Sequence, residues 1–184
     1  MKPRSTLRVI AGTHRGRPLT TPAGDATRPT ADRTREALFS MLTSRLGSFE
    51  GLAVADLFAG SGALGIEALS RGAGSCLFVE QDARALDALR ANLAALSLRG
   101  EVRAASVLAL GPAPAPLDLI LMDPPYTTGA GVVALERLAR LGWTGPATWI
   151  SIETARTETV EVKGFTIDAD RTHGKAKLTL LRPT

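Results

Sequence analysis

The chain has 184 residues, 45% of them hydrophobic and 22% charged, with a formal net charge of +4. That length allows one domain with a sizeable core and excludes two ordinary ones, and the apolar-to-charged balance is that of a soluble globular protein. No apolar run is long enough to span a bilayer, the basic start MKPRSTLRVIAG lacks the apolar stretch of a secretion signal, and the single cysteine, Cys76, excludes an internal disulfide. A cytoplasmic address with no membrane partner follows. Cys76 sits in an apolar run and reads as a small buried residue. With only His14 and His173 besides it, no zinc-ligand cluster forms, and no metal is expected.

Charge is concentrated at the start. Residues 1–35 carry eight basic side chains (Lys2, Arg4, Arg8, Arg15, Arg17, Arg28, Arg33, Arg35) against Asp25 and Asp32, so the remaining 149 residues have a net charge of −2. Seven of the eight are arginines, whose planar fork suits phosphate. In chain order, LRVIAG and RPLTTP predict two short strands around a glycine-containing turn. RPTADRTREALFSMLTSRLG then predicts a helix burying Ala37, Leu38, Met41, Leu42 and Leu46, capped by Thr30 and stopped by Gly47. From residue 51, apolar runs alternate with helical patterns: LAVADLF and ALGIEALSRG, SCLFVE and ARALDALRANLAAL, EVRAA, LDLILMD and GVVALERLARL, ATWISIE. The end, TVEVKGFTIDAD and KAKLTLLRP, reads as two period-2 strands with no helix between them. The expected fold is α/β: a doubly wound, Rossmann-like sheet over residues 51–184, mostly parallel with an antiparallel C-terminal strand, preceded by a basic hairpin and helix over residues 1–50.

In such a sheet, ligands bind beyond the carboxyl ends of the first and fourth strands, where the strand order reverses. The first strand ends in DLFAGSGALG, where Asp56 and Phe58 precede the spacing Gly60-x-Gly62-x-x-Gly65, with Ser61 inside the turn. The second ends in Glu80-Gln81, twenty residues after Gly60, where a carboxylate can accept hydrogen bonds from both ribose hydroxyls. NAD and S-adenosylmethionine both fit this frame. Asp56 favours the second, because a carboxylate opposes a pyrophosphate and attracts the ammonium of a methionine moiety.

The fourth strand ends in LILMDPPY. Two consecutive prolines remove two N–H donors and leave the Asp123 carboxylate and the Pro124 carbonyl as an array of acceptors suited to an NH2 group. An exocyclic base amine is a poor nucleophile because its lone pair is delocalised. Two acceptors gripping its hydrogens free that pair for attack on a sulfonium methyl. Tyr126, the chain's one tyrosine, stands where its ring can stack on a flipped base.

These residues resemble the class I S-adenosylmethionine-dependent methyltransferases that carry a DPPY motif and modify exocyclic amines. RVIAGTHRGRPL, TRPTADRTREALFSML, DLFAGSGALGIEALSRGA, FVEQD and DLILMDPPY together resemble the bacterial 16S ribosomal RNA guanine-N2 methyltransferase family acting at guanine 966, from Arg8 to about Leu181. The resemblance implies methyl transfer from S-adenosylmethionine to N2 of a guanine, with 16S rRNA in the 30S subunit or an assembly intermediate as partner, by a monomer. It implies cofactor contact at Pro29, Thr30, Asp56, Phe58, Gly60, Ser61, Gly62, Glu80, Gln81 and Ser106, and a hold on the target base by Asp123, Pro124 and Tyr126. RNA contact falls to Arg8, Arg15, Arg17, Arg28 and Arg33, the last of which, on a core-facing helix, can instead salt-bridge within the domain. Two departures stand out: only Ser106 offers a polar group after the third strand, and His173-Gly174 replaces the family's usual Tyr-Gly pair. The rivals are an adenine-N6 DNA methyltransferase, an NAD-dependent oxidoreductase and a catalytically silent RNA-binding module.

Overall fold

The structure is a computed structural model, and it describes residues 7–22 and 29–184. Lys2, Arg4, Asp25 and Arg28 lie outside the described residues, as do the side chains of Pro29 and Thr30. The elements are α1 (Pro29–Leu46), β1 (Ala53–Leu57), α2 (Ala63–Ser70), β2 (Ser75–Glu80), α3 (Ala83–Ala95), β3 (Glu101–Ala104), β4 (Leu119–Met122), α4 (Ala130–Arg140), β5 (Trp149–Ala155), β6 (Phe165–His173) and β7 (Ala176–Pro183). The strands form one seven-stranded sheet in the order β3-β2-β1-β4-β5-β7-β6. The first five pair in parallel, while β7 runs antiparallel to both β5 and β6. The expected doubly wound α/β class, with its antiparallel C-terminal closure, is what the chain adopts.

The central strands read as unbroken apolar runs because both of their faces are covered. Along β4, Leu119 and Leu121 join the core under α1, α2 and α3, while Ile120 and Met122 join the core under α4, and all four are fully buried. In α1 the buried stripe includes Phe39, fully buried, beside Leu38 and Leu42, whereas the expected Ala37, Met41 and Leu46 are only partly covered. Phe39 packs on Phe49 with ring centroids 5.5 Å apart, which turns the helix further onto its aromatic side. The helix begins at Pro29, a favoured first helical residue, so Thr30 lies inside the first turn rather than ahead of it as a cap. Gly47, at φ 74°, ends the helix with its N–H on the Thr43 carbonyl.

The two expected N-terminal strands reduce to a single antiparallel bridge between Arg8 and Pro18. Pro18 has no N–H to extend a ladder, and the amides of Ile10 and Ala11 bond instead to the two oxygens of Glu67 in α2, at 2.9 and 3.0 Å. Gly12, at φ 87°, presses so closely on α2 that a Cβ there would lie 1.9 Å from the Ser70 carbonyl oxygen. Leu7, Val9 and Leu19 thereby enter the same core as the sheet.

Candidate active site

The strand order reverses between β1 and β4, whose register pairs Leu57 with Met122. Asp56 and Asp123 are thus brought to one crevice, a cleft of about 590 Å³ that also takes in Phe58, Gly60, Ser61 and Glu80. The turn from β1 into α2 runs through left-handed backbone at Phe58 (φ 60°), Gly60 (φ 57°) and Gly62 (φ 88°). A bulky side chain at positive φ is a strained conformation that persists only where its surroundings enforce it. The glycines divide the work. A Cβ on Gly62 would meet Leu89 of α3 at 2.3 Å and one on Gly65 would meet Phe78 of β2 at 2.4 Å, so the first serves close packing of the loop on α3 and the second close packing of α2 on the sheet. A Cβ on Gly60 would meet nothing within 4 Å, so this glycine lines open space in the cleft.

Asp56 is 1% exposed, and its Oδ2 accepts the Gly65 N–H at 2.8 Å across the base of the loop. Its Oδ1 is buried without a hydrogen-bond partner. Burial pushes the Asp56 carboxyl well above the ordinary range, opposed by the Gly65 bond and reinforced by the charges of Asp123 and Glu80. Glu80 braces the same loop: Oε2 accepts the Gly60 N–H at 2.8 Å, and Oε1 accepts the N–H groups of Gln81 and Asp82 at 2.9 Å each. Glu80 therefore has a role in shaping the loop as well as facing the cleft. Three backbone donors leave room for about one more on an acid with roughly four acceptor sites. Ser61 is anchored through its carbonyl, which accepts from the side-chain amide of buried Asn92, a residue that also exchanges two bonds with Thr20. The Ser106 Oγ accepts the Leu108 N–H at 3.2 Å and starts a short 3-10 turn at the cleft wall, beside Gln81.

At the end of β4, Pro124 is buried and Asp123 opens onto the cleft. Solvent reaches Asp123 through the cleft mouth, but protein surrounds it elsewhere, and desolvation together with the nearby Glu153 charge pushes its carboxyl above the ordinary range. Tyr126 is 40% exposed, with its ring at the mouth and its hydroxyl donating to Glu153 Oε1 at 2.5 Å. Desolvation, then that bond to a carboxylate, pushes the phenol up. Glu153 itself is raised by burial, with the Tyr126 bond opposing. Sequence reasoning missed Glu153; its one signal was a charged residue ending the apolar fifth strand.

A second cavity of about 940 Å³ adjoins the first across Asp123, Tyr126 and Glu153 and runs beneath α1 to His173 at the end of β6. The core-facing arginine of α1 is Arg35, 5% exposed, and not Arg33, which points to solvent. Arg35 donates to the Arg8 carbonyl and to Asp32. Arg8 and Arg17 are exposed yet also hold backbone, on the Gly16 carbonyl at 2.7 Å and the Ala95 carbonyl at 3.0 Å, and Arg15 is exposed. No cluster of metal-ligating side chains occurs among the described residues, and no described helix is long and apolar enough to cross a membrane.

Residues 7–182 match the family described as conserved hypothetical protein 95. The chain belongs to that family. Among its relatives, ribosomal RNA small subunit methyltransferase D of Escherichia coli K12 is 37% identical over 150 residues, 80% of this chain and 74% of that one. YlbH of Bacillus subtilis is 48% identical over 92 residues, so this chain spans about half (48%) of that relative's length. The solved structure of yhhF from Escherichia coli superposes with a TM-score of 0.84 at 31% identity, covering 97% of this chain and 98% of the other. The yhhF structure and this chain thus share one architecture over nearly their whole lengths.

Proposed function

We propose that this chain transfers the methyl group of S-adenosylmethionine to the exocyclic N2 of a guanine in 16S ribosomal RNA. The observation that carries the reading is the meeting of Asp123 and the buried Pro124, at the end of β4, with the glycine loop of β1 in one cleft. The relatives' name as small-subunit rRNA methyltransferases supports the substrate class, and the sequence resemblance supports guanine 966. The chain acts in the cytoplasm, as a monomer, on the 30S subunit or an assembly intermediate. Residues 1–50 supply RNA contact and part of the cofactor site, and residues 51–184 the catalytic core.

The residues fit the cofactor. Asp56, Glu80, Asp123 and Glu153 make the cleft acidic, and the buried Oδ1 of Asp56 lacks a hydrogen bond. An acidic wall suits a cationic donor and opposes a dinucleotide pyrophosphate, which disfavours the NAD reading. S-adenosylmethionine supplies a methyl group activated by a sulfonium, which departs as a neutral thioether. The chain's work is positioning and electrostatics. Asp56, Phe58, Gly60, Ser61, Gly62, Glu80, Gln81 and Ser106 hold the donor, with Pro29 and Thr30 at its methionine end. Asp123 and the Pro124 carbonyl accept the two hydrogens of the amine and turn its lone pair toward the cleft. Once the nitrogen has formed its new bond it sheds one proton, and the Asp123 carboxylate, with its raised proton affinity, can take it. Tyr126 stacks on the extruded base. Arg8, Arg15, Arg17, Arg28 and Arg33 line the approach of the phosphate backbone.

The test is tritiated methyl transfer to unmethylated 30S subunits and to duplex DNA, followed by nucleoside mass spectrometry. N2-methylguanosine in the 30S arm is the expected product. N6-methyladenine in the DNA arm supports the adenine-N6 reading and overturns this one, as does absence of transfer to both.

A further inference from the structure

The acceptor pair at Asp123 and Pro124 grips any exocyclic NH2 and does not tell guanine from adenine. Discrimination has to come from the ring atom beside the amine. In guanine, N1 carries a hydrogen next to the N2 amine, so that edge presents N1–H and N2–H donors together. In adenine and in 2-aminopurine, N1 is a bare acceptor.

A second carboxylate stands beside the first. The parallel register of β4 and β5 pairs Met122 with Ile152, so the next residues, Asp123 and Glu153, lie at the same level on adjacent strands, which run about 5 Å apart. Both side chains open onto the cleft and onto the larger cavity next to it. Tyr126, whose ring is the proposed stacking surface, donates its hydroxyl to Glu153 Oε1 at 2.5 Å, which fixes that carboxylate beside the place where the base would stack. A carboxylate has acceptor sites beyond the one Tyr126 uses. Glu153 forms no ion pair among the described residues. A carboxylate half-buried within β5, with a tyrosine hydroxyl on one oxygen, is costly unless something else meets it there.

We infer that Glu153 is the specificity-determining group of this site: it accepts the N1–H of the flipped guanine while Asp123 and the Pro124 carbonyl hold N2. A purine with a bare N1 would set a lone pair against the carboxylate, losing one hydrogen bond and adding repulsion. Sites built to bond a donor reject analogues lacking it far more strongly than apolar pockets reject a missing methylene. This inference rests on the guanine-N2 reading, and the experiment separates the two.

The substrates are 30S subunits reconstituted with 16S RNA carrying either guanine or 2-aminopurine at the target position; both bases offer the 2-amine and only guanine offers N1–H. The expected wild-type preference for guanine is about a hundredfold or more. In Glu153→Gln the side-chain amide can turn its NH2 to a bare N1, and the preference falls at least about tenfold. Glu153→Asp keeps the carboxylate, so it retains the preference at a reduced rate and stands in if the glutamine variant does not fold. Tyr126→Phe removes the brace while leaving the carboxylate, and slows both substrates with most of the preference intact. A preference unmoved in Glu153→Gln, with both rates falling together, assigns Glu153 only a structural role behind Tyr126 and overturns the inference. So does a preference lost in Glu153→Asp. A wild-type enzyme inert on the guanine particle overturns the parent reading and this one with it, whereas an active wild type with an unmoved ratio overturns this one alone.

Discussion

Two buried carboxylates, Glu67 within helix α2 and Asp56 on the strand before it, are treated in opposite ways. Glu67, at 0% exposure, accepts the N–H groups of Ile10 and Ala11 and the Arg71 Nε, all between 2.9 and 3.0 Å, so its charge is met from three sides. Asp56, at 1% exposure, has one backbone donor and one oxygen with no partner, and its neighbours Glu80 and Asp123 bear the same sign. Satisfied burial of the first kind joins the N-terminal hairpin to the sheet. Burial of the second kind is destabilising to the ionised group in the protein alone, and it fits the proposed site for a cationic donor.

The comparison can be broken at either end. On the cleft side, Asp123→Ala removes one of the two acceptors proposed to orient the amine, and the expected loss of methyl transfer is about 10²- to 10³-fold. Its melting temperature should not fall, because Asp123 opens onto the cleft and its ionised form is disfavoured by desolvation and by the charge of Glu153. Transfer retained in that variant would remove Asp123 from the mechanism. On the hairpin side, Glu67→Ala strands two buried amides and the Arg71 guanidinium. The expected cost is about 3–5 kcal/mol, seen by calorimetry as a fall of roughly 6–20 °C in melting temperature. An unchanged melting curve would mean that the hairpin is held by its apolar contacts alone.

The smallest effect is the most diagnostic. Asp56 and Asp123 keep their protons above the ordinary carboxylate range, so in that interval the folded chain binds more protons than the unfolded one. Their contribution to stability is then full below the unfolded value of about 4 and is lost as pH rises through the folded value. The protein without cofactor should therefore become less stable from mildly acidic toward alkaline pH. Asp56→Asn, which keeps an oxygen for the Gly65 N–H, should flatten that slope and weaken S-adenosylmethionine binding about tenfold, equivalent to about 1.4 kcal/mol. Denaturant titrations across pH, paired with calorimetric cofactor binding, check both. An unaltered slope in the variant would show that Asp56 is not the strained group.

Much of this was legible before any coordinates. Gly60, Gly62 and Asp56 could be placed at the end of β1, and Asp123 and Pro124 at the end of β4, because strands covered on both faces leave long apolar runs and the ligand side of such a sheet follows from its winding. That Arg35, and not its exposed neighbour Arg33, is the buried arginine of α1 was not legible, since a helix carrying Phe39 toward Phe49 rotates by more than the leucine pattern indicates. The sequence placed Glu80 at the end of β2 but did not show that three local amides bond to it and brace the glycine loop. Glu67 looked like one more charged residue on a helix, because its partners in the hairpin lie 56 and 57 positions away.

Local pattern was enough to determine the class of sheet, the position of the turn and the two strand ends that carry the acids, because alternation, proline and glycine act on the backbone within a few residues. Only the tertiary structure decided which carboxylate is satisfied and which is left waiting, and that Glu153 stands beside Asp123. Hydrogen-bond partners for a buried charge come from whichever segments the fold brings within 3 Å, and those segments are remote in the chain.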